Sequence, residues 1–463
     1  MLFRTPATPL VLGPALDVAG GFFAEPLMAV LFAASVVAWA AAARRFGTRA
    51  ALLVAAALLV YPAYGLMFHE MSSEPVFAAA FSLWALLVTR AADHPTVARW
   101  AWAGLGVALL AFVRPGNALL LVFGLFPLLL GGSWRVRGKW CGAFLVAGVL
   151  PLVAWAVLNG VRFGDYALAR GGNAVIPFYR AFITDKIVSP ENGPASRELA
   201  EAVRTHLLTR DPYRAYHVTL REVFSSGSFR IHEDLYLLSD QVFGWDDNYA
   251  VLRKAGIEAV QKHPGAYTSG VLDTIWQQLS KSFFRSPPST GPPEQAKPPA
   301  SDLGAGGSSL PPPTEGQPIP AGQNVWISRP DNCIKDTWTS GTQHHFTFCR
   351  PGERQEFDRI LRRQASLFAG LPHRTGNAEL SLRLNQLSRW FPRPIVWIVL
   401  GLLGLAFRRP RGTKTLLALT LAALFVITFN ALGLFADPHF ALPVAPAFVL
   451  LAAGGLLGTR AYD

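Results

Sequence analysis

The chain has 463 residues, 51% hydrophobic and only 16% charged, with a mean hydropathy of +0.29. Soluble domains carry about 25% charge, so composition puts a membrane class first. The balance is basic, net +12 with a pI near 9.9. However, the basic residues sit in short loops between apolar runs, and no nucleic-acid-binding motif accompanies them. They read as topology signals at an anionic membrane face, and a nucleic-acid partner is not expected.

A helix needs about 20 mainly apolar residues to cross the hydrocarbon. Runs of this kind lie near 20–43, 50–68, 75–92, 97–114, 116–131, 140–160, 391–407, 414–436 and 439–458. The runs flanking Arg114-Pro115-Gly116 are short, which fits two shallow spans or one broken helix. Arg44, Arg45 and Arg49 follow the first run. Arg90 and Arg99 follow the third, and Arg135, Arg137 and Lys139 the fifth. Arg408, Arg409, Arg411 and Lys414 follow the seventh. If every run crosses once, these loops share one side, which the positive-inside rule makes cytoplasmic. The turns at 69–74, 115–117 and 437–439 then face out, as does the section 161–390. Residues 1–19 also start outside, yet "MLFRTPATPLVLGPALDV" is too short and too broken by proline for a signal peptide. A further helix upstream is therefore expected. The alternative is that the first run does not cross.

The predicted fold is an all-α polytopic membrane bundle with a mainly helical extracytoplasmic insertion. Residues 1–160 form an N-terminal region of about six spans and 391–463 a C-terminal region of about three. Between them, 195–285 and 355–390 read as helical. "VLDTIWQQLSKSFF" reads as an amphipathic helix on the membrane surface. The Pro/Gly/Ser-rich stretch 286–320 reads as an extended or disordered loop. Cys333 and Cys349 fall on the oxidising side, where a disulfide is expected. Free thiols, or a zinc site with His344 and His345, are the alternatives.

Four stretches carry a family resemblance: "RTPATPLVLGPALDVAGG", "FHEMSSEPVFAAAFSLWALLV", "GLGVALLAFVRPGNALLLV" and "DPHFALPVAPAFVLLAA". In this order they resemble segments of the GT-C class of integral-membrane glycosyltransferases. These use polyprenyl-phosphate sugars and include the protein O-mannosyltransferase and aminoarabinose transferase families. The resemblance covers about 1–160 and 391–459 of the chain. Ala7-Thr8 stands where the family has Gly-Tyr, and His439-Phe440 where it has Arg-Tyr. The family's first helix, and the acid after it that serves as catalytic base, lie upstream of the "RTP" stretch and have no counterpart here. That agrees with the upstream helix expected from charge.

The resemblance implies transfer of a sugar from a polyprenyl-phosphate donor to a lipid, glycan or protein hydroxyl, at the outer face of a bacterial plasma membrane. The alternative is a truncated or non-catalytic relative that binds lipid-linked sugar or a partner protein. A transporter fits less well, because the spans are nearly free of charge and no inverted repeat is visible. Transfer needs a carboxylate to accept the hydroxyl proton and cations to stabilise the leaving phosphate. Glu70 and Glu74 are the candidate catalytic carboxylates. Glu74 reads equally as a helix-start acid favoured by the macrodipole, with Ser72 or Ser73 as cap. His69 is a candidate for a metal or the donor head group. Arg114 is the leading candidate for the donor phosphate, against simple snorkelling to the interface. Arg4 and His439 are further phosphate candidates, and Asp437 is a neighbour. Asp165 and the Trp245-Asp246-Asp247 cluster read first as turn residues. No nucleotide-binding glycine fingerprint is present. No cofactor is assigned, and a divalent metal stays open.

Overall fold

The computed structural model describes residues 5–19, 24–70, 72–170, 175–209, 213–214, 217–244, 247–282, 335–338, 344–347, 383–384, 386–434 and 438–459, with isolated positions between 355 and 366. The Pro-rich stretch 286–320, Arg4, Asp437, Trp245, Asp246, Cys333 and Cys349 lie outside the described residues.

The first described helix is α1 (Ala7–Ala19). Pro9 falls in the first turn, where a backbone N–H has no helical partner anyway, so only Pro14 interrupts the ladder. Next come α2 (Ala24–Ala43), α3 (Thr48–Leu59) and α4 (Pro62–Met67). The run 50–68 is divided because Tyr61, before Pro62, is held in extended conformation. Then follow α5 (Ser73–Asp93) and α6 (Val97–Val113). Pro115–Leu129 winds as a tight 3-10 rod of 15 residues. At about 2.0 Å per residue a 3-10 rod of this length extends about 30 Å. The N-terminal region closes with α7 (Trp134–Phe163), which carries the buried free thiol of Cys141.

The middle section supplies a π-helical segment (Val175–Thr184), then α8 (Pro194–Ala202), α9 (Leu220–Ser225), α10 (Phe229–Val242), α11 (Ala250–Lys262) and α12 (Pro264–Ser280). It also contains a two-stranded antiparallel ladder, β1 (Lys335–Trp338) and β2 (His344–Thr347), with Lys335 opposite Thr347 and Trp338 opposite His344. The chain is otherwise helical, as expected, and this eight-residue ladder is a short local departure within the described residues. Thr, Trp, His and Phe suit a pleated strand, and the stretch is too short to show helical periodicity. The chain ends in α13 (Pro394–Arg408), α14 (Thr413–Gly433), α15 (Pro438–Ala441) and α16 (Pro446–Leu457).

Four helical segments, Glu25–Phe46, Ser73–Asp93, Trp134–Phe163 and Thr413–Gly433, are long and apolar enough to cross a membrane. They share one apolar core with the shorter helices around them, including the aromatic side chains of Trp39, Phe77, Trp84, Trp100 and Phe448. Backbones in this bundle approach closely at small residues, as membrane helices do. A Cβ on Gly104 of α6 would lie 2.1 Å from the carbonyl oxygen of Phe144 on α7. Gly104→Val is therefore expected to lower stability by about 1–3 kcal/mol, because backbone rather than a movable side chain must give way. A thermal unfolding midpoint in detergent equal to wild type would contradict that packing.

The contacts also sort the ends of the helices. At one end Arg45 pairs with Asp93 at 2.8 Å and donates to Thr415 at 3.1 Å. There, too, Lys414 donates to Leu129 O at 2.6 Å and Arg137 to Leu128 O at 2.7 Å. The N–H of Thr459 donates to Phe46 O at 3.1 Å. Residues from all four basic loops expected on one side therefore gather at one end of the bundle, Arg408 joining through the carbonyl of Leu456.

The middle section has its own core, built from Phe178, Phe182, Leu199, Val223, Leu235 and Leu252 among others. The helix containing "VLDTIWQQLS" packs Ile275 and Leu279 into the bundle core and leaves Leu272 and Trp276 exposed, which is the two-faced character read from its sequence. His232 lies inside the second core, its ring 4.7 Å from those of Tyr179 and Tyr236. Neither ring nitrogen has a hydrogen-bond partner among the described residues. Burial lowers its pKa to about 3. Because the unfolded imidazole binds its proton near pH 6.5, the unfolded state takes up more protons between those values. Stability contributed by the neutral ring is complete above pH 6.5 and declines below it by up to about 1.4 kcal/mol per pH unit. His232→Phe is expected to flatten that decline, read by chemical unfolding at pH 7 and pH 5. An unchanged acid dependence would contradict the assignment.

Candidate active site around Arg114

The opposite end of the bundle is organised around Arg114. α6 stops at Val113 because Arg114, preceding Pro115, is driven out of helical conformation to φ −144°, ψ 118°. The residue therefore stands at a chain reversal, with its side chain turned toward the start of α5. That helix begins at Ser73, with Glu74 in its first turn and Pro75 where no helical N–H is needed. Ser72 occupies the cap position, but its side chain makes no capping bond.

Glu74 and Arg114 meet. Arg114 Nη2 donates to Glu74 Oε1 at 2.5 Å. Arg114 Nε and Nη2 also approach Ser73 Oγ at 3.4 and 3.3 Å. The Ser73 hydroxyl in turn donates to Glu74 Oε2 at 3.3 Å. The guanidinium lies 5.4 Å from the centre of the Phe77 ring and 5.7 Å from that of Phe440. The two charged side chains are only 15% and 18% exposed, so the pair is shielded enough to be strong yet still reachable. Arg114 is thus held by an ion pair, a hydroxyl and two aromatic rings. Beside it, Thr5 Oγ1 donates to Val113 O at 3.1 Å.

These contacts join pieces that are far apart in the chain. Thr5 belongs to the "RTP" stretch, Ser73 and Glu74 to "SEP", Arg114 to "VRPG", and Phe440 to "DPHF". All four stretches of family resemblance meet within one layer around Arg114.

Of the other candidates, His69 has a partner of its own. His69 Nδ1 lies 2.9 Å from Glu25 Oε2 on an exposed surface. Glu25 was not singled out in the sequence, although "AEPL" at the start of α2 repeats the acid-proline entry of "SEPV" and could have flagged it. Among the described residues no group of three His, Cys, Asp or Glu side chains is placed to hold a metal ion. Glu70 occupies the turn between α4 and α5, where its N–H bonds to Met67 O at 3.2 Å and its carbonyl accepts from Ser72 N at 2.9 Å. His439 belongs to α15 by its backbone, and its side chain is outside the described residues. Asp165 accepts from Asn248 at 3.3 Å, and Asp247 accepts from the N–H of Val251 at 3.3 Å.

The middle section is riveted to this end by Arg180, another residue the sequence did not point out. Its side chain has 0% exposure. It binds Asp185 at 2.9 Å through both Nε and Nη2. Its Nη1 reaches Thr274 Oγ1 at 3.1 Å and the carbonyls of Ala431 and Leu434 at 2.7 and 2.9 Å. Those carbonyls are at the C-terminus of α14, whose partial negative charge suits a cation. Burial raises the pKa of Asp185, an effect that Arg180 opposes.

No protein-family model, curated protein or solved structure matches this chain.

Proposed function

We propose that this is a multi-pass membrane glycosyltransferase that moves a sugar from a polyprenyl-phosphate donor to an acceptor hydroxyl. The observation that carries the reading is the convergence of the four resembling stretches on Arg114. The sorting of charge supports the topology. The basic loops lie at one end, the cytoplasmic one under the positive-inside rule, and the Arg114 cluster at the other. A polyprenyl tail keeps the donor phosphate at the membrane surface, which is the depth this cluster would occupy.

In this reading the acceptor oxygen attacks the anomeric carbon. The bond from that carbon to the phosphate oxygen breaks, and the electron pair leaves with the lipid phosphate. Arg114 stabilises the charge that develops on the phosphate. Glu74, already bonded to Arg114, positions the guanidinium rather than serving as the base. Glu70, in the adjacent turn, is the carboxylate left to take the hydroxyl proton. The middle section covers the site and selects the acceptor.

The experiment is transfer by the full chain in proteoliposomes, with radiolabelled polyprenyl-phosphate sugars and nucleotide sugars supplied separately. The reading expects label to move from a polyprenyl-phosphate donor only. Transfer from nucleotide sugars, or tight donor binding without any transfer, would replace it, the second outcome with a lipid-linked-sugar binder.

A further inference from the structure

The turn between α5 and α6, at the basic end, carries a cleft of about 430 Å³ that the transfer site does not use. Leu87, Arg90, Asp93, His94, Arg99 and Trp102 line it. Ser73 and Asp93 bound α5, so a helical rise of about 1.5 Å per residue places the cleft roughly 25 Å from Glu74. The negative charge of Asp93 is matched by Arg45 at 2.8 Å. Arg90 and Arg99 therefore leave the cleft with a net positive balance, before any proton on His94. Arg99 Nη1 donates to His94 O at 2.8 Å, which holds its guanidinium at the mouth.

Below the cationic mouth the lining turns apolar, and helical spacing continues it. Leu83, Leu87 and Arg90 follow one face of α5, and Arg99, Trp102, Leu105 and Leu109 follow one face of α6. Trp102 is 60% exposed and Leu83 45% exposed, while Leu87 is partly buried against the bundle core, so the track is open along its outer side. Two arginines at the membrane surface, above an open apolar track that descends into the hydrocarbon, match a molecule with an anionic head and acyl tails. A free phosphate would use the mouth and leave the track empty.

We propose that this cleft binds an anionic diacyl phospholipid of the leaflet facing the basic loops, with its phosphate between Arg90 and Arg99 and a chain along Leu83, Leu87, Trp102 and Leu105. The proposal rests on the membrane reading and is independent of sugar transfer. Each basic residue near an anionic surface strengthens binding about fivefold, so loss of both arginines predicts a weakening of roughly thirty-fold.

The test is lipid retention by the purified full chain, read by native mass spectrometry during titration with phosphatidylglycerol, phosphatidylcholine or inorganic phosphate. The expected result is preference for phosphatidylglycerol, lost in the Arg90→Gln, Arg99→Gln double variant. The Arg90→Lys, Arg99→Lys variant, which keeps the charge, should retain most of it. An Arg135→Gln, Lys139→Gln variant, which removes equal charge elsewhere at the same end, should bind as wild type. Equal loss in that control, undiminished retention by the Gln variant, or displacement of the lipid by millimolar inorganic phosphate would each overturn the assignment.

Discussion

Arg180→Ala is expected to destabilise the protein by about 3–5 kcal/mol, the usual consequence of removing one member of a buried ion pair. The substitution leaves the Asp185 carboxylate, only 6% exposed, without its cation. It also strips the carbonyls of Ala431 and Leu434 of a donor at the end of α14. Arg180→Lys keeps the charge but cannot span Asp185, Thr274 and two carbonyls at once, so it should recover only part of the loss. Replacing both members, as Arg180→Met with Asp185→Leu, should be milder than Arg180→Ala, because no carboxylate is then stranded. Unfolding midpoints in a single detergent, followed by tryptophan fluorescence, measure all three. A wild-type midpoint for Arg180→Ala would mean that the middle section is held to the bundle by something else.

Arg114→Ala is the second large effect, expected in rate. Removing a donor that stabilises charge in the transition state typically lowers kcat by about 10²–10³-fold. Glu74→Gln should be much gentler. Gln still accepts from Arg114 and keeps the guanidinium pointed, and in this account Glu74 is not the base. Glu70→Gln should be as severe as Arg114→Ala, since no other carboxylate is assigned to the hydroxyl proton. Initial rates over a range of donor concentrations separate the cases. A loss confined to KM at Arg114 would mean that the arginine contributes equally to ground state and transition state. Severe loss in Glu74→Gln together with normal rates in Glu70→Gln would reverse the two carboxylate roles.

Much of the bundle was legible because membrane helices are written as long apolar runs, and the charged turns between them mark their ends. The apolar runs fall on helical elements, four of them long and apolar enough to cross a membrane, and residues of the basic loops meet at one end of the bundle. Pitch was not legible. Hydropathy alone does not distinguish an α-helix from the 3-10 rod Pro115–Leu129, so the run after Arg114 looked too short. Glu74 and Arg114 could each be picked out as charges at apolar boundaries. Their pairing, across forty positions of sequence, required the fold. Arg180 escaped because "IPFYRAF" gives no sign that its charge will be buried against a helix terminus contributed by the last third of the chain.

The most direct measurement is a charge swap, Arg114→Glu with Glu74→Arg, assayed for both stability and polyprenyl-phosphate-sugar transfer beside Arg114→Ala. If the guanidinium serves the donor phosphate from position 114, the swap restores the ion pair and much of the stability lost in Arg114→Ala, while transfer stays abolished. Transfer recovering together with stability would contradict the account, because it would show that the pair only holds α5 to α6 and that the phosphate is bound elsewhere.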